Sequence, residues 1–529
     1  MRQDSARVLI VGGGAVGVSI AHHVVEEALA TRAAGRLEVV LVERRSEVGP
    51  GVAYELDVDT HLLNTRAAGI SAVYGDKPHF YRWLLANEEL WRPAFPAVRP
   101  APTAFLPRGL FGLYLRDVAA QTERRARAAG IGWTTVADEV TDIAREGASF
   151  VAETAGGTRI AADVVAICTG NTNLDPFPQF AGRPGYYESP YPTGALLRAI
   201  GPADDVIVLG SRLSAIDAAI ALLESERFGG TIKLVSRGGM LPSVRGAQEA
   251  HTLRHVTRDR IRALAAERGG LGFDDIRELC LAEARASACS LDWDEVVRPG
   301  LDAYAWILEE IFASAGRARP WQGLVYALNE VIDELWRVLR EDERVRLTTT
   351  LRSEFLTYRV SIPVENACKI ARAMSQGRLS VHGGLERIEL APDSGRFEAR
   401  LRAPGANPVI LTGTALINAT GFDNGSALAQ IPLLSRMHAR GLLREHRHGG
   451  IDVDFDTGRA LNADGVPQRD LLAVGAVTSG VHFFTSALDV NVRHAARSAR
   501  DIIATIADAP LIGDVAMRYS VLSEIGVEA

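Results

Sequence analysis

A glycine-rich turn near the start of the chain has the residue types and spacing that can bind a dinucleotide. Its glycines satisfy the pattern G-x-G-x-x-G directly after the apolar run Val8–Val11. In this pattern the first glycine permits a tight turn, the second lets a pyrophosphate approach bare backbone, and the third lets the next helix pack close to the strand. The N-terminus of that helix then faces the phosphate charge. The residues predicted to hold the phosphates are Gly12, Gly14, Ala15, Val16 and Gly17.

An acidic residue completes this unit. Glu43 ends a second apolar run, Val39–Val42, and a carboxylate at that strand end can accept hydrogen bonds from both hydroxyls of an adenosine ribose. The gap between Gly17 and Glu43 is longer than the ~20 residues of the usual pattern, which indicates a longer helix. Strand, turn, helix, strand and acid together favour a nucleotide site over a glycine turn without a ligand. Arg44 is predicted to lie beside the nucleotide.

A hairpin followed by an apolar strand and a Thr-Gly pair occurs twice in the chain. The first copy has its hairpin at Phe150–Ala161 and ends at Thr169 and Gly170, which are predicted to lie at the cofactor. The second copy has its hairpin at Phe397–Leu411 and ends at Thr420–Gly421. The repetition predicts two related nucleotide-binding domains.

The second domain has its own turn, Gly210–Ala215, which departs from the glycine pattern. Arg212 stands where the second glycine would lie, and Ala215 replaces the third, a change that the pattern tolerates. Arg212 could contact a phosphate itself, or it could mark a domain that has lost its ligand. Arg237 ends the next strand, where it would meet a 2′-phosphate, so NADPH is preferred over NADH. The residues predicted at this second site are Gly210, Ser211, Arg212, Ser214, Ser236 and Arg237.

The composition excludes several classes of function. The chain has 529 residues, a formal net charge of −7 and no block of basic residues, so no nucleic-acid partner is expected. Its 4 cysteines form no C-x-x-C pair, which argues against a zinc site and against a redox dithiol. No apolar run approaches the ~18 residues of a membrane span, and no signal region precedes the first strand. We expect a cytoplasmic protein with no membrane partner and no metal.

These elements predict an α/β fold with two Rossmann-like dinucleotide-binding domains, of the glutathione-reductase-like flavoprotein type, and a helical insertion. Gly475 follows the last apolar strand and is predicted to lie at the cofactor, where the helix that begins near Ser486 could stabilise reduced flavin through its N-terminus. The predicted division is the FAD-binding domain at 1–198 and 465–529, the NAD(P)-binding domain at 199–250 and 375–464, and the insertion at 251–374.

Five segments together resemble the bacterial FAD/NAD(P)-binding protein family, whose relatives are the class B-like flavin reductases and N-hydroxylating monooxygenases. The segments are Gly12–Gly17 with Glu43, Gly51–Tyr54 with Leu62–Asn64, Pro107–Arg108 with Gly112–Leu115, Gly210–Asp217, and Leu472–Gly475 with Thr478 and Gly480. The resemblance implies FAD in the first domain, with Arg108 among its contacts, and NAD(P)H in the second. In the better understood relatives, reduced flavin reacts with oxygen.

The resemblance implies a FAD-dependent, NADPH-using monooxygenase that hydroxylates the nitrogen of a small amine or amino acid through a flavin C4a-hydroperoxide. Asn64, Arg66 and His482 are the candidate catalytic residues, because they are polar and adjoin turns that the family places at the cofactor. Each has a structural alternative, as a turn residue, a surface ion-pair partner and a capping residue respectively. Arg66 stands where the family pattern has proline, which would suit an anionic substrate.

Two other functions stay open at this stage. One is a flavin oxidoreductase that takes its electrons directly from its substrate, because the turn with Arg212 no longer holds NADPH. The other is a flavin-binding protein without catalytic activity. Reduction of the flavin by NADPH or by NADH distinguishes the first of these from the monooxygenase.

Overall fold

Two β-sheets, parallel except for one antiparallel edge strand in the first, form the frame of the protein. The computed structural model describes residues 5–170, 175–247, 251–287, 301–316, 319–402, 407–421 and 428–508. Its strands are β1 (Ala6–Val11), β2 (Leu37–Glu43), β3 (Gly132–Ala137), β4 (Val140–Glu146), β5 (Ser149–Thr154), β6 (Arg159–Ala162), β7 (Val164–Ile167), β8 (Tyr186–Tyr187), β9 (Asp205–Leu209), β10 (Thr231–Val235), β11 (Ser243–Val244), β12 (Ser361–Ile362), β13 (Leu379–His382), β14 (Leu385–Leu390), β15 (Phe397–Leu401), β16 (Val409–Gly413), β17 (Ala415–Asn418), β18 (Arg459–Leu461) and β19 (Pro467–Ala473).

The α-helices cover these sheets and fill the insertion between them. They are α1 (Ala15–Ala30), α2 (His79–Ala86), α3 (Glu88–Trp91), α4 (Arg108–Ala128), α5 (Thr193–Ala199), α6 (Leu213–Glu224), α7 (Arg258–Arg268), α8 (Phe273–Ala286), α9 (Ala303–Gly316), α10 (Pro320–Ala327), α11 (Ile332–Val338), α12 (Glu341–Thr349), α13 (Arg352–Arg359), α14 (Val364–Ser375), α15 (Pro432–Ala439), α16 (Ser479–His482) and α17 (Leu488–Asp508). Within the described ranges, none of them is long and apolar enough to cross a bilayer.

The first sheet has the order β18-β19-β7-β1-β2-β3, and β1 pairs in parallel with both β2 and β7. Alternate residues of β1 face two different layers, as the period of a strand requires. Val8 and Ile10 pack in one core with helices α1 and α17, while Leu9 and Val11 pack in another with the strands β4–β6. Because both faces are covered, the stretch Val8–Val11 of β1 is apolar throughout.

The second sheet, β13-β10-β9-β17-β8, repeats this arrangement. Val206 and Val208 of β9 pack against helices α6 and α14, and Ile207 and Leu209 pack against β15. Antiparallel three-stranded sheets β4–β6 and β14–β16 cover the corresponding faces of the two domains. The predicted internal repeat is therefore present in the fold.

The structure differs from the predicted division at two boundaries. Residues 428–464 were assigned to the second domain, but Leu434, Met437 and Ile451 share a core with β1 of the first domain, and β18 joins the first sheet. Helix α14 was assigned to the insertion, but its residue Ile370 packs against the second sheet. Apolar residues at helical spacing show that a helix is amphipathic but not which sheet it covers.

The helical insertion lies between β11 and β12 and contacts the first domain through a buried ionic cluster. The carboxylate of Asp333 on α11 is fully buried and lies 2.7 Å from Arg258, 3.0 Å from Arg493, 3.0 Å from His494 and 3.2 Å from Arg497. The last three residues belong to α17 of the first domain. We call this group the Asp333 cluster, and it joins the insertion to the first domain.

Candidate functional site

The first glycine turn has the geometry of a dinucleotide cradle. Gly12 has φ = +101°, and a Cβ there would lie 2.4 Å from the carbonyl oxygen of Cys168. A Cβ on Gly17 would lie 1.9 Å from the carbonyl oxygen of Gly12. A Cβ on Gly14, by contrast, would make only an ordinary contact, 3.6 Å from the Cα of Gly51, so its backbone is the least crowded of the three. Helix α1 begins at Ala15, directly after Gly14, and offers its N-terminal N–H groups to an anion.

Glu43 and Thr169 complete the first cradle. The Glu43 carboxylate is 7% exposed and accepts hydrogen bonds from the backbone N–H groups of Gly13 at 2.7 Å and Arg45 at 3.0 Å. A carboxylate has about four acceptor positions, so it retains capacity for ribose hydroxyls. The hydroxyl of Thr169 is buried and has no hydrogen-bond partner among the described residues. These residues fit FAD, which when bound would supply the two-electron redox centre.

Other residues predicted at the first cofactor lie around the same turn. Gly475 has φ = +93° and approaches Val16, and Gly170 has φ = +73°. Arg44 has a side chain that is 52% exposed and lies 3.9 Å from Glu139. The positive φ angles explain why glycine follows the apolar strand at both places.

Arg108 lies at the junction of the two dinucleotide domains. Its guanidinium forms an ion pair with Asp217 of α6 at 2.6 Å, and the hydroxyl of Tyr191 donates to the same carboxylate at 2.8 Å. Burial alone would lower the pKa of Arg108, but the charge of Asp217 and the neighbouring Tyr191 outweigh it and raise that pKa. This ion pair connects the two dinucleotide domains, and the contact of Arg108 with the cofactor stays a prediction.

The second turn holds its arginine against the insertion. Arg212 donates from Nη1 to the Thr357 hydroxyl at 2.6 Å, and from Nη2 to the carbonyl and hydroxyl oxygens of Ser353 at 2.6 and 3.0 Å. Both partners belong to α13, and burial lowers the pKa of Arg212 to about 10. Gly210 keeps the strained turn, with φ = +115°. Helix α13 thus binds the side chain that replaces the second glycine.

The remaining residues predicted at the second turn have mixed surroundings. Ser211 donates to the carbonyl oxygen of Met240 at 2.7 Å and lies 3.0 Å from the hydroxyl of Ser236, so both serines brace the adjoining loop. Ser214 lies near Tyr191, beside the connection between the domains. Arg237 is exposed at the end of β10, where the sequence predicts a contact with a 2′-phosphate.

A cavity of about 490 Å³ lies between the first domain, the start of α6 and the insertion. Asn64 and Arg66 line it from the first domain, together with Tyr54. Leu213, the first residue of α6, lines it from the second domain. Two of the three predicted catalytic residues therefore meet in one cavity, next to the second turn.

His482 lies in the core instead of the cavity. It is 2% exposed, its Nε2 lies 3.1 Å from the carbonyl oxygen of Phe455, and its ring is 4.0 Å from the ring of His494. The next residue, Phe483, has φ = +55°, an unusual value for a residue with a side chain. This bend directs Phe484 to the cavity wall and His482 to the interior. His482 is therefore not among the residues that line this cavity, and its catalytic role stays a prediction.

Sequence reasoning did not find three cavity residues from the insertion region: Arg245, Tyr326 and Arg359. They come from three separate segments, and no motif connects them. Their only sequence signal is the presence of two arginines close to the short strands β11 and β12, which pair with one another.

The fold and the first cradle define a protein with two dinucleotide-binding domains of the flavoprotein type. Residues 9–172 match the model of the FAD-NAD(P)-binding family, which confirms the resemblance and the predicted fold class. The first domain is therefore an FAD/NAD(P)-binding domain, as predicted.

Individual relatives share this fold at low sequence identity. The uncharacterized protein YdhS of Escherichia coli (strain K12) is 22% identical over 423 residues, which cover 71% of this chain and 76% of YdhS. The reduced ornithine hydroxylase PvdA of Pseudomonas aeruginosa aligns with a TM-score of 0.57 and 16% identity over 95% of this chain and 99% of its own. The ornithine N-hydroxylase KtzI of Kutzneria sp. 744 was solved with reduced FAD, NADP⁺ and L-ornithine. It aligns with a TM-score of 0.54 and 16% sequence identity, over 95% of this chain and 99% of KtzI.

Proposed function

We propose that the protein is an FAD-dependent, NADPH-using monooxygenase that hydroxylates the nitrogen of a small amine or amino acid. The observation that carries this proposal is the cavity between the two dinucleotide domains. Its lining combines Asn64 and Arg66 from the first domain with Leu213 at the start of α6. A substrate there would lie close to ligands of both turns.

The likeness to PvdA and KtzI supports this reaction in preference to other flavin chemistry. The overall reaction balances as amine, O₂, NADPH and a proton giving hydroxylamine, NADP⁺ and water. The chain's own residues would bind and orient the substrate and exclude water. Asn64 can donate or accept a hydrogen bond at the substrate nitrogen, and Arg66 can bind an anionic group.

The test is turnover of the FAD-loaded protein with a panel of small amines and amino acids. We expect substrate-dependent NADPH oxidation together with a product that has gained one oxygen atom, detected by mass spectrometry. Asn64→Ala should reduce product formation at least tenfold while the FAD content is unchanged. NADPH oxidation that yields only hydrogen peroxide across the panel would contradict N-hydroxylation.

The structure also favours one alternative, a flavin oxidoreductase that is reduced directly by its substrate. Arg212 occupies the position of the second glycine and is bound by Ser353 and Thr357, so α13 lies against the second turn. Anaerobic mixing with NADPH and with NADH separates the two functions. Flavin that is bleached by neither nicotinamide but is bleached by a substrate would favour the alternative.

A further inference from the structure

The wall of the cavity formed by the insertion is strongly cationic. Arg245 follows β11 directly and Arg359 ends α13, two residues before β12. Because β11 and β12 pair in parallel, the ribbon brings both guanidinium groups to the same wall. Arg66 of the first domain lines the cavity with them.

Aromatic faces hold these guanidinium groups in place. The guanidinium of Arg245 lies 3.4 Å from the ring centre of Tyr326, and that of Arg359 lies 4.3 Å from Phe484 and 5.2 Å from Tyr326. The Tyr326 hydroxyl is itself fixed by Ser361 at 2.6 Å. Stacking on an aromatic face leaves the N–H edges of a guanidinium available to a planar oxyanion.

No carboxylate forms an ion pair with this wall. Among the described residues, no Asp or Glu lies within 4.0 Å of the guanidinium nitrogens of Arg245 or Arg359, and the Nε atoms of both are buried without a hydrogen-bond partner. Arg359 also donates from Nη2 to the side-chain oxygen of Asn329, and the charge of Asp489 acts on it from a greater distance. Burial lowers the pKa of Arg359 to about 10. Of the acidic lining residues, Glu330 pairs with Lys77 at 3.3 Å and Asp489 accepts from Asn329 at 2.8 Å.

Partly desolvated cations gathered in this way are costly unless an anion joins them. We propose that the cavity binds its substrate through a carboxylate or another oxyanion held between Arg245 and Arg359. This inference rests on the proposed function and narrows its substrate class to amines that also carry an oxyanion. A simple diamine would place a second ammonium group against the cationic wall.

Calorimetric titration of the oxidised, FAD-loaded protein tests this proposal without NADPH or turnover. The probes are glutarate, which carries two carboxylates, and pentylamine, which carries none. We expect glutarate to bind and pentylamine to bind at least tenfold more weakly. Arg245→Gln and Arg359→Gln should each weaken glutarate binding at least tenfold, whereas Arg245→Lys should retain part of it. The matched control is Arg227→Gln, because Arg227 is exposed and is not among the residues that line the cavity.

The same variants distinguish a substrate oxyanion from a phosphate of NADPH. If the proposal holds, the NADPH concentration for half-maximal flavin reduction stays within twofold of the unaltered protein. Failure of the unaltered protein to bind glutarate would overturn the proposal, and so would variants that shift NADPH dependence but not glutarate binding. Arg245 is only partly buried, so Arg245→Gln keeps the test valid if Arg359→Gln does not fold. The titration involves neither oxygen nor turnover. A failure of the monooxygenase assay would therefore not change the result of the binding test, and the two failures can be distinguished.

Discussion

Gly17 is the residue in the first turn at which a side chain would meet the most severe steric conflict. A Cβ there would approach the carbonyl oxygen of Gly12 to 1.9 Å, so α1 would have to move away from β1. We expect Gly17→Ala to weaken FAD binding at least tenfold, since the N-terminus of α1 would no longer face the phosphates. The measurement is the flavin-to-protein absorbance ratio after desalting.

Gly35→Ala is the matched control for this experiment. A Cβ on Gly35 meets no atom within 4 Å, and the residue lies in the connection before β2. The control should retain as much FAD as the unaltered protein. If Gly17→Ala also retained it, the first turn would not be the phosphate cradle.

Arg212 decides how readily the second turn accepts NADPH. Its side chain takes the place where bare backbone would meet a pyrophosphate, and its guanidinium is bound to Ser353 and Thr357. We expect Arg212→Gly to lower the NADPH concentration for half-maximal flavin reduction, by about tenfold, or about 1.4 kcal/mol. Stopped-flow absorbance of the flavin measures it. An increase would instead show that the guanidinium binds a cofactor phosphate.

Arg237→Gln provides the opposite comparison at the same domain. Arg237 is exposed at the end of β10, where a 2′-phosphate would lie. Its loss should raise the half-saturating concentration of NADPH about tenfold and leave that of NADH unchanged. Equal effects on both nicotinamides would contradict a role in recognising the phosphate.

Among the elements, α11 and α17 are joined by the Asp333 cluster. Burial alone would raise the pKa of Asp333, but the hydrogen bond from His494 and the charges of Arg493 and Arg258 hold it well below its ordinary value. Asp333→Asn would leave Arg493 without its buried counter-charge, whereas Arg258 would keep Glu334 at 3.2 Å. We expect the free energy of unfolding to fall by about 3–5 kcal/mol, measured by urea denaturation.

The control for this variant is Asp274→Asn. The side chain of Asp274 is 89% exposed and pairs with Arg277 at 3.1 Å, a surface contact worth about 0–1 kcal/mol. Unfolding midpoints that shifted equally in the two variants would show that the Asp333 cluster contributes no more than a surface ion pair.

The elements that sequence predicts well are those with local patterns. Phe80, Trp83 and Leu84 have the spacing of one face of a helix, which predicts that they are buried together. They lie in α2, and all three side chains are buried. The stretch 324–339 has helical spacing too, yet it divides into α10 and α11 around residues 328–331. Helical periodicity reports which face is apolar but does not show a short interruption between two helices.

At the scale of the whole molecule, the parts of the site that escaped prediction are those assembled from distant segments. Asn64 and Arg66 adjoin a recognisable segment, whereas Arg245 and Arg359 reach the cavity only because β11 pairs with β12 across the whole insertion. His482 does not join them in the cavity lining, because the bend at Phe483 turns the neighbouring side chains in different directions. Such placements depend on tertiary pairing and on one unusual φ angle, which residue types do not encode locally.

The joining of insertion and first domain should also make the whole molecule sensitive to acid. His494 is buried beside Asp333, Arg493, Arg497 and His482, and burial lowers its pKa to about 4, although the hydrogen bond with Asp333 acts in the opposite direction. The unfolded chain binds this proton near pH 6.5, so His494 favours the folded state above that pH. Its contribution, roughly 3 kcal/mol, declines as the pH falls from about 6.5 to about 4.

Urea midpoints measured across this pH range test the prediction. His494→Gln retains a side-chain donor for Asp333 but cannot titrate, so its midpoint should vary less with pH than that of the unaltered protein. If the urea midpoint of His494→Gln changed with pH as steeply as that of the unaltered protein, the acid sensitivity would come from other buried histidines. One of these is His22, because burial lowers its pKa to about 3.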